Sequence, residues 1–257
     1  MNLERNIVSV EWLHEHLHDP GLVILAVSMG DPTKTKETAV PGAILADLEG
    51  DFSAPDSDLP HTVPTDIAKV FENVGVSDDT AIVVYDRHGL MCAARVWWLA
   101  KTAGLDNVAV LDGGLPAWVA AGYPTEAVAT PTKQGSVTTS PCALLTDMHG
   151  VERAGRTVVD ARSAGRFAGT EPEPRPGLAA GHIPGSVNIP FTSVLNDQGL
   201  LKPPAELQAL FAETVGPATA LTFSCGSGVT ACVDALAALE AGYDDLLVYD
   251  GSWSEWG

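Results

Sequence analysis

Phe223-Ser224-Cys225-Gly226-Ser227-Gly228-Val229-Thr230 decides how this chain is read. The apolar run Ala220-Leu221-Thr222-Phe223 leads straight into a cysteine. Small and β-branched residues follow, and then Val229, Cys232, Val233, Leu236 and Leu239 recur at helix spacing. The pattern predicts a sulfur on a tight turn between a strand end and a helix start. Unpaired backbone N–H groups and the positive end of a helix dipole meet there, and both favour a thiolate. Gly226 and Gly228 let the backbone curl without a Cβ clash, giving a ring of N–H donors able to hold an anion over Cys225. A cysteine after a buried strand also reads as a small apolar packing residue. The rest of the chain separates the two readings.

The chain repeats itself. Val40-Pro41-Gly42-Ala43-Ile44 is echoed by Ile183-Pro184-Gly185-Ser186-Val187. Val83-Val84-Tyr85-Asp86, with Gly89 after it, is echoed by Thr222-Phe223-Ser224-Cys225 and Gly228. Val110-Leu111-Asp112-Gly113-Gly114-Leu115-Pro116-Ala117-Trp118 is echoed by Val248 to Trp256. The order is the same in both halves. The period is too long for a solenoid, and a chain of 257 residues holds two domains of ordinary size.

Within each half, apolar runs alternate with helical patterns. Residues 22–27, 81–85 and 107–111 read as strands in the first half, and 157–160, 218–224 and 245–249 in the second. Ile67, Val70, Phe71 and Val74 make one helical face, with Thr65 as N-cap and Gly75 as stop; Leu207, Leu210 and Phe211 make another. Strands apolar throughout and separated by helices predict an α/β fold of two tandem domains, each a doubly wound, mostly parallel sheet flanked by helices. Ligands in such sheets bind beyond the carboxyl ends of the strands, where Cys225 falls. Residues 126–141 lack apolar periodicity and are rich in Thr, Pro and small residues. They are the expected linker between a first domain at 1–125 and a second at 142–257.

A hydrophobic fraction of 46% and a mean hydropathy of +0.12 describe an ordinary globular composition. No apolar run approaches a membrane span, and the N-terminus lacks a signal-peptide core. Cys92, Cys142, Cys225 and Cys232 show no zinc-ligand spacing, so no metal and no cofactor is expected, and a reduced, cytoplasmic setting follows. A formal net charge of −19 argues against nucleic acid and anionic membrane as partners. A site for an anionic substrate then needs local cations. Arg153, Arg156, Arg162, Arg166 and Arg175 gather just before Gly181-His182-Ile183-Pro184-Gly185.

Taken together, these blocks resemble the rhodanese superfamily of sulfurtransferases in its two-domain form, and within it the 3-mercaptopyruvate sulfurtransferases. The specific parts are Cys225 to Thr230, the block from Asp160-Ala161-Arg162 to Arg175-Pro176-Gly177, the Gly181–Gly185 turn, and Asp250-Gly251-Ser252-Trp253-Ser254-Glu255-Trp256. The resemblance implies that Cys225 carries a persulfide. Gly226, Ser227, Gly228, Val229 and Thr230 form its loop, and Arg166 and Arg175 bind the substrate. It also implies a catalytically silent first domain, with Asp86 where the second has its cysteine.

Sulfur would pass from 3-mercaptopyruvate to Cys225 and on to a thiol, such as that of thioredoxin, or to cyanide, releasing pyruvate. Guanidinium forks suit the adjacent carboxylate and carbonyl of a 2-keto acid. Ser227 reads either as a proton-relaying hydroxyl or as a small turn residue. Glu49 and His61 are the candidates for the rest of a relay. Met91 stands where relatives often place an aromatic residue.

Thiosulfate sulfurtransferase is the nearest alternative. Enzymes tuned to that dianion place cations inside the loop, where this chain has neutral Gly226 and Ser227. A cysteine phosphatase would need a longer loop ending in arginine, and Ala231 follows Thr230. A noncatalytic persulfide carrier is the remaining alternative.

Overall fold

The computed structural model describes residues 1–153 and 155–257, which form two compact units. One comprises residues 1–56 and 63–142, the other residues 57–62 and 143–257. The first contains β1 (Ile7–Val8), α1 (Val10–His16), β2 (Leu22–Ser28), α2 (Thr33–Glu37), β3 (Ile44–Asp47), α3 (Ile67–Asn73), β4 (Ala81–Asp86), α4 (Ala93–Thr102), β5 (Val108–Leu111) and α5 (Gly114–Ala120). The second contains β6 (Leu145–Thr146), α6 (Met148–Arg153), β7 (Thr157–Asp160), α7 (Ala164–Phe167), β8 (Val187–Asn188), a 3₁₀ turn (Phe191–Val194), α8 (Pro204–Val215), β9 (Ala220–Ser224), α9 (Ala231–Glu240), β10 (Asp245–Tyr249) and α10 (Ser252–Trp256).

The sheet orders are β1-β5-β4-β2-β3 and β6-β10-β9-β7-β8, with every ladder between named strands parallel. Counted from its own first strand, the second order repeats the first. The middle strands are β4 and β9, where the winding of each sheet reverses and ligands are expected past the carboxyl end. β4 ends at Asp86, and β9 ends one residue before Cys225. Both strands are almost wholly buried, which is why they read as unbroken apolar runs rather than alternating ones.

Local chemistry sets the element ends. α8 starts with Pro204 in its first turn and stops at Gly216, whose φ is 61°. α3 is capped by the Asp66 carboxylate, which accepts from the Lys69 N–H at 3.0 Å, and not by Thr65 as the sequence suggested. Either residue is a good N-cap type, and the backbone places Asp66 where its side chain reaches the first turn. α9 begins at Ala231, so Val229 belongs to the loop before it.

The aperiodic stretch 126–141 is tied along the first unit. Ala39 and Glu126 exchange backbone hydrogen bonds, Ala129 N–H donates to Ala43 at 2.7 Å, and Gly135 N–H donates to Glu72 at 2.8 Å. A Cβ at Gly135 would collide with the Val76 carbonyl oxygen, so only glycine allows this approach. The absence of periodicity here marks a strap held by its backbone, which leaves no hydrophobic signature.

Candidate active site

β9 delivers Cys225 to the floor of a loop, 2% exposed, with α9 rising from the far end. The loop is clamped from outside by the start of α10. Ser252 Oγ accepts from the Cys225 N–H at 3.1 Å and the Gly228 N–H at 3.0 Å, and donates to the Tyr249 carbonyl at 2.8 Å. Trp253 N–H donates to Cys225 O, and both the N–H and the hydroxyl of Ser254 donate to Gly226 O. Among the described residues, the N–H groups of Gly226, Ser227, Val229 and Thr230 meet no protein acceptor. They are the donors left for an anion held over the sulfur.

The first unit shows the same cradle filled. The Asp86 carboxylate accepts from the N–H groups of His88 (2.7 Å), Met91 (2.9 Å), Cys92 (2.8 Å) and Ala93 (2.9 Å). That loop already holds its own anion. The neighbouring Cys92 thiol is pushed well up by burial and by the Asp86 charge, which makes it a poor nucleophile.

The arginine-rich block folds into a buried ion network. Arg162 pairs with Asp160 at 2.6 Å and Glu173 at 2.7 Å, donates to Gly181 O at 2.8 Å, and lies over the Trp253 ring at 4.3 Å. Glu173 also takes Arg166, Nη2 to Oε2 at 2.6 Å. Burial acts to raise the Glu173 carboxyl, but Arg166 and Arg162 together hold it below the ordinary glutamate range. His182 accounts for one more contact in this block: its Nδ1 meets Phe167 O at 2.8 Å and its ring stacks on Phe167, a turn-orienting role.

Arg166 and Arg175 converge on the Cys225 loop. A Cβ built on Gly226 would lie 3.0 Å from Arg166 Nη2 and 3.8 Å from Arg175 Nη1. Two guanidiniums therefore lie over the residue next to the sulfur, although a Pro- and Gly-containing stretch of chain separates them in sequence. On the other side, Ser227 Oγ stands 3.0 Å from His61 Nδ1. Both are buried, and His61 has the positive φ of 60°. His61 belongs to the 57–62 segment, which joins the second compact unit although it lies inside the first sequence half. Glu49 is exposed in the first unit, its N–H donating to Asp47 Oδ1 at 3.1 Å.

Sequence reasoning does not single out Ser252, Ser254 or Glu173 as site residues. The repeat does carry a signal for Ser252. It aligns with Gly114, and both have positive φ, 49° and 52°. A Cβ at Gly114 would collide with Asp86 O, so this position presses against the loop in both units.

With this geometry in view, the comparisons with known proteins are direct. The rhodanese-like domain model matches twice, over residues 9–121 and 144–257. The chain belongs to the rhodanese-like family, with two copies of its domain. It is 40% identical to the 3-mercaptopyruvate sulfurtransferase of Rattus norvegicus, over 99% of this chain and 92% of that one. It is 38% identical to a thiosulfate sulfurtransferase of Cricetulus griseus, over 99% and 92%. The crystal structure of SseA from Escherichia coli, described as a 3-mercaptopyruvate sulfotransferase, superposes with a TM-score of 0.84 at 32% identity, over 97% of this chain and 99% of that one. Among the described residues, no helix is long and apolar enough to cross a membrane.

Proposed function

We propose that this chain is a sulfurtransferase that takes sulfur from 3-mercaptopyruvate onto Cys225 and passes it to a thiol acceptor, such as thioredoxin, or to cyanide. The carrying observation is the pair of guanidiniums over Gly226, beside the sulfur. Arg166 and Arg175 take the carboxylate and carbonyl oxygen of the donor. The Cys225 thiolate attacks the donor's sulfur, forming the S–S bond. The C–S bond breaks, and its electron pair leaves as the enolate of pyruvate. Positive charge at the carbonyl oxygen stabilises that enolate as it forms.

Ser227 and His61 move the proton that the donor thiol loses and the enolate carbon gains. The new outer sulfur lies among the open N–H groups of Gly226 to Thr230. An acceptor thiolate then attacks it and restores Cys225, so one difficult transfer becomes two easier ones. We place the protein in the cytoplasm, since the exposed Cys142 thiol suits a reducing compartment.

Thiosulfate is the second reading, because a relative bearing that name is nearly as similar as the mercaptopyruvate enzymes. The neutral loop residues Gly226 and Ser227 weigh against it as the preferred donor. Pyruvate release from 3-mercaptopyruvate, set against thiocyanate formation from thiosulfate and cyanide, decides the matter. A higher kcat/KM for thiosulfate reverses the assignment. Extra sulfur on Cys225 without catalytic pyruvate release reduces the chain to a carrier.

A further inference from the structure

Asp234 lies in the first turn of α9, the helix that rises from the Cys225 loop. It is 0% exposed, and neither carboxyl oxygen has a hydrogen-bond partner. A carboxylate in that position is costly, because burial takes it out of bulk water and no protein donor replaces that water. The titratable groups acting on it are the Cys225 thiol of the loop and Asp160 at the end of β7, both of which carry negative charge when ionised. Arg162, the cation paired with Asp160 in this network, is already committed to Asp160 and Glu173. α8, β9, β10 and the 3₁₀ turn pack against α9, and they bury Leu207, Phe211, Phe223, Val248 and Val194, with Thr222 and Ser224 as the buried hydroxyls of β9. Next to Cys225, Ser224 Oγ is also buried without a partner. Ser224 at the end of β9 and Asp234 in the first turn of α9, the two elements that flank the Cys225 loop, thus both lack protein partners, while buried Asp160 and Arg162 in the same unit are paired.

We propose that Asp234 is a positioning residue for sulfur transfer, working in its proton-bearing form so that the sulfur site keeps one negative charge and not two. Burial, then the Cys225 and Asp160 charges, push the carboxyl well above the ordinary range, which agrees with this geometry. The helix N-terminus and the loop N–H groups serve one anion, at Cys225. Ionising Asp234 adds a second charge within the same dielectric pocket, and the anionic donor and the persulfide both lose stability. As pH rises, the Asp234 proton is lost and activity falls on the alkaline side. An asparagine, which is never charged, moves that limb to higher pH.

The proposal rests on the assignment of sulfur transfer to Cys225, so the test has an arm that needs no turnover. Infrared spectra of the full chain at neutral pH, without donor, are expected to show the C=O stretch of a protonated, non-hydrogen-bonded carboxylic acid. The band disappears in Asp234→Asn and persists, shifted, in Asp234→Glu. In the kinetic arm, the alkaline fall in kcat/KM for 3-mercaptopyruvate moves up by about one pH unit or more in Asp234→Asn, as expected when a coupled charge is removed. A wild type without the band overturns the proposal even if Asp234→Asn does not fold. An alkaline limb unchanged in a folded Asp234→Asn overturns it as well. Failure of all donors with the band intact overturns the sulfurtransferase reading instead.

Discussion

His61 Nδ1 lies 3.0 Å from Ser227 Oγ, across 166 residues of chain. The pair is buried, so its hydrogen bond is shielded from water and strengthened. If it moves the proton, Ser227→Ala and His61→Asn each lower kcat for 3-mercaptopyruvate by roughly 10²-fold, the lower end for general acid–base catalysis. The double variant is no worse than the poorer single one, because the two groups act as a unit. Additive losses in that cycle would show two independent roles.

Cys225→Ser abolishes sulfur transfer and leaves the fold intact, since the hydroxyl fits the loop but cannot hold sulfur. Cys92, Cys142 and Cys232 changed to Ala keep most activity. Cys92 lies next to the Asp86 carboxylate, which already fills its cradle, and the Cys232 sulfur is turned to Gly228 O at 3.2 Å. Single-turnover pyruvate release and circular dichroism of the four variants check this together.

The two arginines differ in a way that kinetics and melting can separate. Arg175→Lys raises KM by about tenfold, the loss of one charge-assisted fork contact, with no change in Tm. Arg166→Lys raises KM similarly and also lowers Tm, because Arg166 shares Glu173 with buried Arg162. Unchanged kinetics in both variants would return these side chains to a solvated loop.

Glu173 gives the network an acid limit. Its carboxyl is held below the unfolded value of about 4.3 by the two arginines, against the effect of burial. The sign follows: the stabilisation is fully present above about pH 4.3 and fades as pH falls through the lower folded value. Glu173→Gln removes one partner of a buried pair and costs on the order of 3 kcal/mol at neutral pH. It also flattens the acid side of the stability curve, as denaturant midpoints from about pH 3 to 7 will show.

Donor preference answers to the loop. Placing Arg at 226 and Lys at 227 puts two cations beside the sulfur, which favours the thiosulfate dianion by a few kcal/mol at an effective dielectric of about 20. The structure adds a second cause for the same direction. A side chain at 226 starts 3.0 Å from Arg166 Nη2, so the new cation repels the guanidinium that takes the keto acid. The change at 227 also removes the Ser227 hydroxyl that meets His61. The ratio of kcat/KM for thiosulfate to that for 3-mercaptopyruvate therefore rises, mostly through loss of the latter. A ratio that stays put would free the loop from setting the choice.

Much of this protein was legible along the chain because its signals are local. Unbroken apolar runs such as Val83-Val84-Tyr85, bounded by turn residues, mark strands buried on both faces. A cysteine between β9 and α9, with glycines after it, is set by backbone geometry within eight residues. The repeat tied two sheets to one strand order, and Asp86 opposite Cys225 followed from alignment alone.

Tertiary structure decided what depends on distance through space. Only the folded backbone brings Arg166 and Arg175 over Gly226, hands Glu173 to two arginines, and sets the Ser252 hydroxyl under the N–H groups of Cys225 and Gly228. Only the fold detaches His61 from its own sequence half and lays it beside Ser227, or buries Asp234 without a protein partner in the first turn of α9. Hydrophobic periodicity records which side of an element is buried. It carries no record of which polar groups meet once burial has removed their water, and in this protein the chemistry rests on those meetings.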